Sequence, residues 1–179
     1  TLLLLEVSDA PSSPDNGIPK PAHEVRGLLS AQSGKVLIGS LPDGTAITIQ
    51  GRITWTLCPA LLERCRNELA QKHPILLDMS LCSYLDSTSL GTLQEVANLA
   101  EQGGTPLRVY GLQPNVARLF EELEMKRVLE RTVKGRLTLP QNMAPLSPGP
   151  MDEQQHRSRI LMAHETLSSL GEVNRRKFA

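Results

Sequence analysis

Hydrophobic and polar positions along the chain change period several times between residues 35 and 140. Val36-Leu37-Ile38-Gly39-Ser40-Leu41 has strand character and is followed by Pro42-Asp43-Gly44-Thr45. An Asp-Gly pair between two such runs is a strong turn signal. Ala46-Ile47-Thr48-Ile49-Gln50 alternates and leads into Gly51-Arg52-Ile53, so the pattern predicts an antiparallel hairpin. A helix is expected from about Pro59, a favourable first-turn residue, with Leu61, Leu62, Cys65 and Leu69 on one face. Ile75-Leu76-Leu77 does not alternate and reads as a strand buried on both faces, leaving through Asp78-Met79-Ser80 into a short loop from Leu81 to Leu85.

A second helix is expected from Asp86-Ser87-Thr88 to about Gln102, with Leu90, Leu93, Val96, Ala97 and Ala100 inward and Gly103-Gly104 ending it. Leu107 to Tyr110 reads as a further strand. Pro114 opens a third helix with Val116, Leu119, Phe120 and Leu123 inward, and one more short strand is expected between Met125 and Leu139. This order predicts an α/β fold: one domain with a mixed, mostly parallel sheet of about four or five strands and helices packed on it.

Two proline-rich stretches flank that domain. Ser8 to Pro21 holds four prolines, as does Pro140 to Pro150. The organisation expected is an N-terminal extension over 1–34, the domain over 35–140, a linker over 141–154 and an amphipathic helix over 155–179. In that last segment Ile160, Ala163, His164, Leu167 and Leu170 recur at helical spacing, Gly171 interrupts, and Glu172 to Phe178 adds a turn or two. Its apolar side needs a cover, either the domain itself or a partner, a second copy of the chain included.

Composition removes several functions. The 19 basic and 19 acidic residues cancel, so no basic excess advertises a nucleic acid, and 3% aromatic content leaves no stacking platform for single strands. Cys58, Cys65 and Cys82 form no C-x-x-C pair and have no histidine at ligand spacing, so no metal or other cofactor is expected and buried reduced thiols are the simple reading. The opening Thr1 to Leu5 is too short for a signal-peptide core or a membrane helix, so no direct membrane insertion is expected. With no initiator methionine, a trimmed or fragmentary chain is expected.

The informative stretch is Leu85-Asp86-Ser87-Thr88-Ser89-Leu90-Gly91, where a buried strand hands over to a helix. The structural reading makes Asp86 or Ser87 the helix cap, accepting hydrogen bonds from first-turn amides. The functional reading places a phosphate there. The partial positive charge of a helix start tolerates phosphoserine, while a docking partner meets its charge and its desolvation cost.

Asp86-Ser87-Thr88-x-Leu90-Gly91, preceded by Ile75-Leu76-Leu77-Asp78, resembles the signature of the STAS family, named for sulphate transporters and anti-sigma-factor antagonists. Thr105-Pro106-Leu107-Arg108-Val109 and Pro114-Asn115-Val116-Ala117-Arg118-Leu119-Phe120 resemble its next two elements, so the likeness covers roughly 35 to 140. It implies helices on one side of the sheet and a cytoplasmic, non-enzymatic binding protein. By the same resemblance Ser87 is the phosphorylation site, with Thr88 a weaker acceptor. The implied partners are an anti-sigma factor that is also a serine kinase, bound when Ser87 is unmodified, and a resetting serine phosphatase. Asp86, Ser87, Thr88 and Ser89, with Thr54 and Trp55, are the expected partner-binding residues.

The chain departs from the family pattern at Gly51-Arg52-Ile53-Thr54-Trp55, which lacks an acidic residue, and at Ser89, where Gly or Ala is usual. Trp55, the one tryptophan, is either loop packing or an interface anchor. Two other roles remain in view. An enzyme would need Ser87 activated, yet there is no G-x-S-x-G elbow, no phosphate-binding glycine loop, and no histidine among 23, 73, 156 and 164 placed for it by sequence. A constitutive scaffold or ligand-sensing subunit of a membrane transport or signalling complex would use the Ser87 ledge for packing, and docking of residues 155–179 over that ledge would favour it.

Overall fold

A computed structural model describes residues 34–178. The extension expected over 1–34 thus lies outside the described residues except for Gly34. The sheet is six-stranded: β1 (Lys35–Leu41), β2 (Gly44–Ile53), β3 (Ile75–Leu85), β4 (Leu107–Tyr110), β5 (Thr132–Val133) and β6 (Ala144–Pro145), in the order β5-β4-β3-β2-β1-β6. The β1–β2 hairpin and the β1–β6 pair are antiparallel, and the β2–β3, β3–β4 and β4–β5 pairs are parallel. The helices are α1 (Cys58–Ala70), α2 (Ser87–Gly103), α3 (Pro114–Glu122), α4 (Lys126–Leu129), α5 (Glu153–Ser168) and α6 (Glu172–Phe178), with a 3-10 turn over Trp55–Leu57.

Strand register explains where the core lies. Ile38 pairs with Ile47, Ile47 with Leu77, and Leu77 with Val109, so one apolar row crosses four strands on a single face. Side chains alternate across a strand, and Val36, Ile49, Ile75, Met79 and Leu107 fall on the same face. They pack with Leu61, Leu62, Cys65 and Leu69 of α1, with Leu90, Leu93, Val96 and Ala97 of α2, and with Val116 and Phe120 of α3. Among these, Ile47, Ile49, Val109 and Phe120 are fully buried. Helix α2 ends where Gly104 takes the left-handed conformation at φ 61°, which a residue with a Cβ resists.

Four elements differ from the pattern-based expectation. Strand β3 does not end at Ser80 but runs eleven residues to Leu85, still paired with β2 at Ile53. Ser80 and Leu81 are both exposed, and the β2–β3 register shifts beside them, so the alternation changes phase there and Leu81–Leu85 imitates a loop. Between Met125 and Leu139 a single helical turn, α4, precedes the expected strand. The proline-rich stretch expected as linker contributes β6, whose Pro145 is tolerated because it lies on the sheet edge. The C-terminal segment begins at Glu153 behind an Asp152–Gln155 capping box and forms two helices. Of the two covers open to its apolar side, it takes the domain: Ala163 and Leu167 are fully buried, and α5 packs along α2.

At the end of the domain remote from Ser87, Glu68 of α1 accepts hydrogen bonds from Thr45 Oγ1 (2.7 Å), Arg64 Nε (2.7 Å) and His73 Nδ1 (3.0 Å). Burial pushes its carboxyl up, but the bonds from Thr45, His73 and Arg64 outweigh that and hold it below the ordinary value. A depressed carboxylate stabilises the fold above its unfolded pKa and loses that contribution as pH falls through the folded one. Unfolding titrations between about pH 6 and pH 3 should therefore show Glu68→Gln with a shallower acid loss of stability than wild type.

Candidate functional site

Strands β2 and β3 run parallel and end together at Ile53 and Leu85, so the chain leaving each is brought to one place. Asp86 joins them. It is the N-cap of α2, with extended backbone, and its Oδ1 accepts from both the amide and the hydroxyl of Ser89, each at 2.8 Å. Its Oδ2 accepts from the Trp55 amide at 2.8 Å, and its own amide donates to the Ile53 carbonyl. One carboxylate thus closes the first turn of α2 and pins the loop after β2. Of the two candidates for the cap, Asp86 has the role.

The expected site residues separate into two groups. Thr88 and Ser89 are buried, 4% and 3% exposed. The Ser89 hydroxyl donates to Asp86 and lies 3.3 Å from the Ile53 carbonyl, beside Cys58 Sγ at 3.4 Å. Thr54, Trp55, Asp86 and Ser87 are part-buried and lie along the rim. All three cysteines are buried and unpaired with one another. Burial pushes the Cys65 thiol up to about 12 and Cys82 to about 11, and raises Cys58 as well, which disfavours the thiolate at all three.

Ser87, the first residue of α2, makes no capping bond. Its Oγ instead lies 2.9 Å from Nε2 of His164 in α5. A second histidine of that helix, His156, stacks on Trp55 with ring centroids 3.6 Å apart and planes 19° apart. Between them Arg159 pairs with Glu95 of α2 at 2.6 Å, and Arg66 of α1 reaches the other oxygen of Glu95 at 3.2 Å. The helices approach closely at Gly91, where an added Cβ would come within 2.7 Å of both Cα and Cβ of Ala163. Both rim features expected to meet a partner, Ser87 and Trp55, are covered by the chain's own C-terminal helix.

Sequence position had not placed any histidine against Ser87, and the contact spans 77 residues. A serine bonded to a histidine is the beginning of a catalytic dyad, but further parts are needed. Among the described residues His164 has no carboxylate bonded to it, and its ring neighbour is Phe178, with centroids 5.6 Å apart. A cleft of about 600 Å³ lies between α1 and α5, lined by Pro59, Leu62, Arg66, Met151, Arg159 and Met162, and does not include Ser87.

The family model described as "Mlab, STAS domain" matches residues 37–131, just over half of the chain, and the protein belongs to the STAS family. The matched region contains the hairpin, the Asp86–Ser87 ledge and α3, and stops short of α5 and α6. Among solved structures, the unphosphorylated anti-sigma factor antagonist SpoIIAA is similar at 12% identity over 55% of this chain and 85% of that one, with a TM-score of 0.47. A chain from the complex of the diguanylate cyclase SiaD with its activator SiaC, from Pseudomonas aeruginosa, matches at 25% identity over 51% of this chain and 83% of that one, TM-score 0.41. No helix of the described residues is long and apolar enough to cross a membrane.

The division of labour at the ledge is measurable. Asp86→Ala should cost about 2 kcal/mol or more, because a cap and a loop tether go together, and should shift the emission of Trp55. Ser87→Ala should cost under about 1 kcal/mol, since it removes one part-buried bond. Urea unfolding followed by circular dichroism gives both values. Equal losses would show that Ser87 shares the capping role.

Proposed function

We propose that this protein is a cytoplasmic partner-switching STAS module, gated by phosphorylation of Ser87. The observation that carries the reading is that Asp86 does the capping, which leaves the Ser87 hydroxyl bonded only to His164 of α5. A residue at the first position of a seventeen-residue helix and free of the capping role can be modified without unfolding what lies beneath it. In the unmodified state the rim of Thr54, Trp55, Asp86 and Ser87 binds an anti-sigma factor that is also a serine kinase. Phosphate on Ser87 adds about −1.5 to −2 charges to that rim and ends the binding, and a serine phosphatase resets it. The domain itself catalyses nothing in this cycle. Thr88 is a poor acceptor by the same argument, because it is buried.

One observation favours a second reading. His164 covers Ser87, as a constitutive scaffold or ligand-sensing subunit of a membrane transport or signalling complex would allow. Peptide mass spectrometry on protein from its native host separates the two. The switch predicts phosphate on Ser87 in a fraction of molecules, together with loss of partner binding in Ser87→Asp and its retention in Ser87→Ala. Absence of Ser87 phosphate under every growth condition, with Ser87→Asp binding its partner as wild type does, would leave the scaffold.

A further inference from the structure

The α5-facing stripe of α2 consists of Ser87, Gly91, Gln94 and Glu95, which recur at helical spacing, and Trp55, from the loop after β2, adds a contact at His156, on the far side of Arg159 from His164. The stripe has the properties of a receptor for a helix. Gly91 supplies a notch that admits the backbone of a second helix at Ala163. Glu95 supplies an anion, answered by Arg159 at 2.6 Å, and Trp55 an aromatic shelf, answered by His156. Leu167 completes the contact by entering the domain core.

The fit of α5 is nonetheless incomplete. Gln94 Oε1, His156 Nε2 and Arg159 Nε are buried with no hydrogen-bond partner. A helix with matching polar groups at these places would gain the bonds that α5 does not make there. The outer side of α5 is open, with Leu161 59% and Met162 52% exposed among Arg157, Ser158 and Glu165.

We propose that this face of α2, with Trp55, is a helix-receiving interaction surface, filled in the isolated protein by the chain's own α5 and opened to a partner helix when α5 leaves. The helix it accepts carries a basic residue for Glu95, a small residue one turn later against Gly91, an apolar residue one turn beyond that, and a donor for the Gln94 amide oxygen. Release of α5 also frees Ser87, since a phosphoryl group on Oγ cannot share the position that the His164 imidazole holds. The proposal deepens the partner-switch reading and rests on it for what docking achieves in the cell.

The chain supplies its own probe. A fluorescent peptide of residues 152–179 is titrated with full-length wild type, with Ala163→Leu, and with the double variant Gly91→Ala/Ala163→Leu, and followed by anisotropy. Ala163→Leu crowds the notch from the α5 side and leaves the groove intact, whereas Gly91→Ala fills the groove itself. In wild type the tethered helix competes at an effective concentration that a free peptide does not match.

The peptide is expected to bind Ala163→Leu at least about tenfold more tightly than wild type, and to lose that gain in the double variant. Trp55, the single tryptophan, should change its emission in Ala163→Leu as His156 leaves, and regain the wild-type signal with peptide. Arg159→Ala, which removes the Glu95 pair without adding bulk, should act in the same direction. A peptide that binds Ala163→Leu no better than wild type, or an Ala163→Leu protein that keeps the wild-type Trp55 emission, overturns the proposal. Neither readout involves phosphate. A Ser87 never modified in cells would therefore sink the acceptor reading and leave this surface standing, while a peptide that fails to bind would do the reverse.

Discussion

The Asp86 carboxylate is the constraint on which the rest of the site depends. Parallel strands β2 and β3 deliver two chain segments to the same end of the sheet, where their backbone groups lose ladder partners and must find others. Asp86 satisfies three donors at once: the amide and hydroxyl of Ser89 and the amide of Trp55. That fixes the start of α2 against the loop after β2 and ties the Trp55 backbone to Asp86. It also releases Ser87 from capping. The hydroxyl closest to the helix start is therefore available for chemistry because its neighbour has taken the structural role.

A second consequence concerns what lies above that ledge. The core is built on an apolar row through Ile38, Ile47, Leu77 and Val109 with helices on the same face, and that row lies within the region that matches the STAS family. Helices α5 and α6 come after it and add an outer layer to α2. Their contact combines two buried apolar residues, Ala163 and Leu167, with an ion pair, a stack, a serine–histidine bond and a buried bond from the Asn174 side-chain amide to the Leu123 carbonyl. Polar contacts of this kind give small net stabilisation and strong positional preference. A layer so attached orients without welding, and the chain keeps it at high local concentration.

Much of the domain was legible in the pattern of residues. The hairpin at Asp43-Gly44, the inward faces of α1, α2 and α3, the glycine stop of α2 and the handover at Asp86 all follow from periodicity and end signals that act over a few residues. The second half of β3 was not, because the irregularity at Ser80–Leu81 breaks the period while pairing with β2 continues. The pairing of β6 with β1 hides in a proline-rich stretch, since two residues at a sheet edge leave no periodic signal. At the site, Asp86 and Ser87 could be picked out but not told apart as cap and free hydroxyl; that needs the Ser89 and Trp55 amides in place. The burial of Thr88 and Ser89 follows from how α2 is turned on the sheet. His164, His156 and Arg159 had no local signal pointing to Ser87, Trp55 and Glu95, although the apolar spacing of Ala163 and Leu167 did announce a helix in need of a surface.

The account holds that a stable STAS core carries a free serine under a cover that can lift separately. Native-state hydrogen exchange, read residue by residue, tests this most directly. If it is right, the amides of α5 exchange together through an opening well below the global unfolding free energy, while those of β3 and the buried side of α2 stay protected to the global limit. If α5 exchanges only when β3 does, the cover is part of the core, and Ser87 is sealed in a scaffold.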